Sequence, residues 1–74
     1  MKIEWIDGFE ILVKVDHVKD NHDEVVIAAN REGMLSLAKQ LTALAEAAPG
    51  EHIHYDEYNS LEEGSMELII ERAE

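Results

Sequence analysis

The stretch that decides the fold is NREGMLSLAKQLTALAEAAPG, residues 30–50. Asn30 is a good N-cap, because its side chain can accept a hydrogen bond from the free N–H groups of a first helical turn. Met34, Leu37, Ala38, Leu41, Leu44, Ala45 and Ala48 then recur at spacings of three and four, the apolar stripe of an amphipathic helix. Few β-branched residues interrupt the run, and Pro49-Gly50 stops it. The spacing predicts one helix over residues 31–48. Its stripe needs a surface to lie on, and the rest of the chain must supply a sheet.

On the N-terminal side, Phe9, Ile11, Val13 and Val15 alternate with Glu10, Leu12 and Lys14, which is strand periodicity. Ile3, Trp5 and the Asp7-Gly8 pair read as a short strand and a turn. Residues 16–23 are polar and rich in turn formers, and residues 24–29 are a compact β-branched run. These two strands predict a hairpin with Asp20-Asn21 at its tip. On the C-terminal side, residues 51–58 and 66–71 alternate as strands around Asn59–Ser65, with Gly64 as a left-handed residue. The order is β-β-α-β-β. The expected fold is α+β, a single domain over residues 1–74, with a four-stranded, mainly antiparallel sheet and the helix packed on one face.

The chain has 74 residues, no cysteine and a net charge of −11. Disulfides and thiolate chemistry are excluded, and a domain this small has a thin core. The acidity argues against nucleic acid and anionic membranes, which repel such a surface. It suits a basic protein partner, although acidity also serves simple solubility. Residues 1–29 carry a net −4, residues 30–50 a net 0 and residues 51–74 a net −7. No apolar run is long enough to span a bilayer, and the N-terminus does not read as a signal peptide. The expected location is the cytoplasm.

His52, His54 and Asp56 are spaced at strand period two and should project from one face. Two imidazoles and a carboxylate are competent metal ligands. Exposed strand residues or interface contacts are the more ordinary reading of the same spacing, and no cofactor is expected. Asp16, His17, Asp20, His22, Asp23 and Glu24 lack calcium-hand spacing and read as a solvated loop. No serine sits in a nucleophile motif, and there is no phosphate loop or dinucleotide fingerprint. One sheet and one helix leave little room for a desolvated cleft, so an enzyme is not expected. Trp5 and Tyr55 read as core or edge cover, whereas Tyr58, on the histidine side, reads as an exposed anchor.

The run from His52 to Arg72, HIHYDEYNSLEEGSMELIIER, resembles the C-terminal signature of the bacterial immunity protein 32 family. Residues 29–41, ANREGMLSLAKQL, are similar to that family's helix start. The resemblance implies a small cytoplasmic protein encoded beside a secreted polymorphic toxin, which it binds and blocks. It implies no catalytic residues and does not fix the toxin's activity. A basic nuclease would suit the charge.

The expected contact surface is the uncovered sheet face and the following turn, with His52, His54, Asp56, Tyr58, Glu62, Glu63 and Glu67. The partner is then a cognate toxin, met by occlusion. Two alternatives stay open: a metal-binding or sensing module on His52, His54 and Asp56, and a homodimer that pairs its sheets without a toxin.

Overall fold

A computed structural model describes residues 2–18 and 22–74. Its elements are β1 (Ile11–Val18), β2 (His22–Ala29), α1 (Arg31–Ala45), β3 (His52–Tyr55) and β4 (Leu68–Glu71). The order β-β-α-β-β is the one the periodicity predicts. The hairpin tip expected at Asp20-Asn21 lies outside the described residues. Residues 2–10 form no strand, but Asp7-Gly8 does make a turn, closed by the Phe9 N–H donating to the Ile6 carbonyl at 3.1 Å.

The expected single four-stranded sheet does not form. β1 pairs antiparallel with β2 from Ile11↔Ala29 to Val18↔His22, and β3 pairs antiparallel with β4 from His52↔Glu71 to Tyr55↔Leu68. These are two separate two-stranded sheets. The reason lies in the turn before β4, which occupies the edge of β1. The Glu62 N–H donates to the Ile11 carbonyl and the Met66 N–H to the Val13 carbonyl, both at 2.8 Å. Ser65 Oγ accepts from the Val13 N–H at 3.1 Å. A folded turn, one of whose acceptors is a side chain, takes the place a third strand would hold.

The helix is also set differently from its expected apolar stripe. Its buried residues are Gly33, Ser36, Gln40 and Leu44. Met34, Leu35 and Leu41 are exposed, Met34 by 58%. The buried face is polar because it holds the strandless N-terminal segment, whose backbone groups have no ladder to satisfy them. Ser36 Oγ accepts from the Ile6 N–H at 2.9 Å and donates to the Glu32 carbonyl at 2.7 Å. Gln40 Nε2 donates to the Glu4 carbonyl at 2.8 Å. Asn30 Oδ1 accepts from the N–H groups of Gly33 and Glu10, and its Nδ2 donates to the Gly8 carbonyl. The predicted N-cap is therefore present, and it also fastens residues 8–10.

The helix ends at Ala45, not at residue 48. Pro49 has no N–H for the Ala45 carbonyl, and its ring would clash with that group. The helix tightens instead, with Glu46 and Ala47 donating three residues back to Ala43 and Leu44. Arg72 Nε reaches the Ala45 carbonyl at 3.4 Å, placing a cation at the negative end of the helix. The Arg72 backbone meanwhile pairs with Gly50 and Glu51.

The core consists of Ile11, Val13, Leu44, Ile53, Tyr55 and Leu61, with Trp5, Phe9, Leu37, Leu68 and Ile70 packed against it. Trp5 stacks on Phe9 at 4.3 Å and meets the edge of Tyr55 at 6.0 Å. Tyr55 is 1% exposed, and its hydroxyl donates to Gln40 Oε1 at 2.8 Å. Helix, N-terminal segment and β3 are thus joined through one glutamine.

This packing sets the cost of two substitutions. A Cβ at Gly33 would lie 2.6 Å from the Glu10 carbonyl and 3.0 Å from Ile11. Alanine is the better helix former by about 1 kcal/mol. The clash with backbone outweighs that gain, so Gly33→Ala should lower stability by about 1–3 kcal/mol in urea unfolding.

The second concerns Tyr55, whose phenol is pushed above its ordinary 10.0 by burial. The unfolded chain ionises first, so this contribution is complete below pH 10 and is lost as pH rises through the raised value. Tyr55→Phe should lose about 1–3 kcal/mol at neutral pH, because Gln40 Oε1 loses its donor. Unfolding measured on both sides of pH 10 should show the gap between wild type and Tyr55→Phe narrowing in alkali. A constant gap would mean that the phenol's proton plays no part.

Candidate functional site

Strand β3 points alternate side chains to opposite sides. Ile53 and Tyr55 are buried, and His52 and His54 are exposed. The histidine side is therefore uncovered, as the period-two spacing predicts. The two imidazoles meet edge to face with centroids 4.9 Å apart. Across the ladder, His52 lies opposite Glu71 and His54 opposite Ile69, which is half exposed. Glu67 Oε1 stands 3.7 Å from His54 Nδ1. His52, His54, Glu67, Ile69 and Glu71 thus share one open face.

Asp56 has a different task from the one expected of it. β3 ends at Tyr55, and Asp56 begins a turn. Its Oδ1 accepts from the N–H groups of Tyr58 and Asn59 at 2.9 and 3.0 Å. Its carbonyl accepts from Asn59, Ser60 and Leu61. This is the side-chain-to-backbone turn that aspartate favours. Among the described residues, no group of three histidines or acids is arranged to hold a metal ion. His52 and His54 point out from β3 beside the turn that Asp56 caps.

The turn that Asp56 builds presents Tyr58, whose side chain is 98% exposed. Asn59 Nδ2 donates to the His54 carbonyl at 3.1 Å, which ties the turn to β3. Glu57 Oε2 accepts from the Gly64 N–H at 2.9 Å, which ties it to the next turn. Gly64 has φ +89°, the left-handed conformation its position predicts. Leu61 is buried between the two turns and anchors both.

Glu62 and Glu63 face elsewhere than the histidines. They line a shallow groove with Glu10, Leu12, Ala28 and Asn30, on the β1–β2 side. A second, smaller cleft opens beside His54, lined by Ile3, Trp5, Ile53, Tyr55 and Asn59. Sequence reasoning missed both concavities. The Glu10–Leu12 alternation signals an outer strand face, but its juxtaposition with Glu62 and Glu63 follows from the turn seated on β1. Trp5 reads as edge cover in sequence, and its place in the His54 cleft depends on how the strandless segment is held.

No helix is long and apolar enough to cross a membrane among the described residues. Comparison with curated proteins returns no match, and neither does comparison with solved structures. The family model for Immunity protein 32 matches residues 24–73, from β2 through β4. The match contains the helix, both turns and the whole histidine face, and on it the chain belongs to the immunity protein 32 family.

Proposed function

We propose that this immunity protein binds a cognate bacterial toxin and blocks it by occlusion, without catalysis of its own. The family match over residues 24–73 carries the reading. Every proposed contact residue lies within it: His52, His54, Asp56, Tyr58, Glu62, Glu63 and Glu67. Their roles divide by chemistry. Tyr58 is the aromatic anchor, a large side chain with no packing role of its own to give up on binding. Glu67 on the histidine face, and Glu62 and Glu63 on the groove beside β1, steer a basic partner toward these two surfaces and raise the rate of encounter. His52 and His54 offer polar contacts beside the Trp5 cleft, which can receive an apolar side chain from the toxin. Asp56 acts through the turn, by holding Tyr58 in place.

A basic nuclease is the toxin that this charge balance suits, with the segment from residue 51 onward carrying −7 of the net −11. Its activity would be lost because the immunity protein covers its positive surface.

The test uses the toxin domain encoded beside this chain, co-expressed with wild type and variants. Growth of the cells reports protection, and stopped-flow mixing reports the rates. Glu62→Lys/Glu63→Lys should slow association about tenfold or more at low salt, with the difference shrinking as salt rises. Tyr58→Ala should leave association nearly unchanged and speed dissociation, at a cost of about 2 kcal/mol or more. Full protection by a triple variant carrying all three changes would remove the turn with Tyr58 and the Glu62–Glu63 groove from consideration.

The metal-dependent alternative is tested by titrating zinc against wild type and His52→Ala/His54→Ala. The two should behave alike, since Asp56 is committed to its turn. Site-specific uptake by wild type alone would restore the sensing module.

A further inference from the structure

We infer that two copies of this chain join along the free edge of β2, in a two-fold antiparallel register centred on Val26. The inference is independent of the toxin-blocking reading and concerns a different surface.

Backbone direction supplies the first observation. Ile11 and Val13 turn their backbone groups away from β2, toward the turn at residues 62–66. Their ladder partners Ala29 and Ile27 must then turn theirs away from β1, as must Val25 and Asp23. Among the described residues, no backbone group bonds to that outer edge of β2. Val25 is 66% exposed and Ile27 is 43% exposed, both on the strand face shared with Ile11 and Val13. An eight-residue edge with uncovered β-branched side chains is a template for another strand. It has no proline within it, no lysine and no bulge to block one.

Register supplies the second. With the axis at Val26, Val25 lies opposite the partner's Ile27, and Val26 opposite the partner's Val26. Glu24 then faces the partner's Ala28, and Asp23 faces the partner's Ala29. Val25, Val26 and Ile27 meet apolar side chains, the two acids meet alanines, and no two like charges are opposed. Every outward-facing residue also meets another outward-facing residue, as the hydrogen-bond pattern requires. Moving the axis to Val25 would place Asp23 against Ile27, and moving it to Glu24 would oppose two glutamates.

Charge supplies the third. Two copies at −11 repel, so self-association needs a neutral zone. Residues 25–29 carry no charge, and residues 30–50 sum to zero. The uncharged part of the edge, residues 25–29, lies apart from the histidine face, so a dimer leaves that face open, while the partner's β2 borders the Glu62–Glu63 groove at Ala28 and Ala29. The product is a continuous sheet of four strands, in the order β1-β2-β2-β1, with the two-fold axis between the β2 strands.

The experiment is sedimentation of the full chain over a range of micromolar concentrations. Wild type should sediment as a dimer, and more strongly as salt screens the repulsion. Val25→Lys should raise the dimer dissociation constant at least about tenfold, although it lowers the net negative charge. Val25→Pro should do the same, because the N–H it removes faces outward and takes no part in the β1 ladder. Far-ultraviolet circular dichroism checks that both variants keep their fold.

The chain has no cysteine, so a single Val26→Cys tests the register directly. Opposed residues of this kind lie about 4.5 Å apart at Cα, within disulfide reach. Val26→Cys should cross-link under mild oxidation, and Lys14→Cys, on the neighbouring strand, should not. Three results would overturn the inference: a monomeric wild type, a dimer indifferent to both Val25 variants, or equal cross-linking by the two cysteine variants.

Discussion

The structure depends on a helix face that is polar. Asn30, Ser36 and Gln40 each take backbone groups from residues 4–10, a segment that enters no sheet. Peptide groups that enter no ladder need other partners, and these side chains supply them where the half-buried segment lies on the helix. Gln40 also receives the Tyr55 hydroxyl, which carries the arrangement across to β3. Among the described residues, no buried side-chain polar atom is left without a hydrogen bond. The core of this 74-residue chain is thin in apolar side chains and is held together by a satisfied polar seam.

That seam has consequences at the surface. A helix that turns Ser36 and Gln40 inward must turn Met34 and Leu41 outward. A segment fixed by side chains brings Trp5, stacked on Phe9, to line a cleft with Tyr55 and His54. The turn after β3 then has room to settle on the edge of β1. It divides what would be one sheet into two and uses Ser65 Oγ where a strand would offer a carbonyl.

The same division separates the molecule's surfaces by charge. The uncovered side of β3–β4 and its turns belongs to the segment with a net −7, whereas the outer edge of β2 is uncharged from Val25 to Ala29 and acidic only at Asp23 and Glu24. A family whose members neutralise toxins needs a surface that meets a partner quickly and holds it. In the reading proposed above, charge would supply the speed and a desolvated aromatic such as Tyr58 the hold. Asp56 shows how the two tasks stay apart, since it spends its carboxylate on the turn that displays Tyr58.

Local chemistry alone determined the element order, the Asn30 cap, the helix stop near Pro49, the Gly64 turn and the alternation that buries Ile53 and Tyr55 while exposing His52 and His54. Each is a matter of neighbouring residues and a short period. The family likeness was legible for the same reason, being carried by contiguous runs. The rotation of the helix, the splitting of the sheet and the separation of Glu62 and Glu63 from the histidines were decided only by tertiary structure. Apolar periodicity places Met34 and Leu41 inside because it counts hydrophobic area. It cannot count the unpaired N–H and carbonyl groups of a distant segment. Those groups had to be satisfied, and Ser36 and Gln40 were the side chains able to satisfy them.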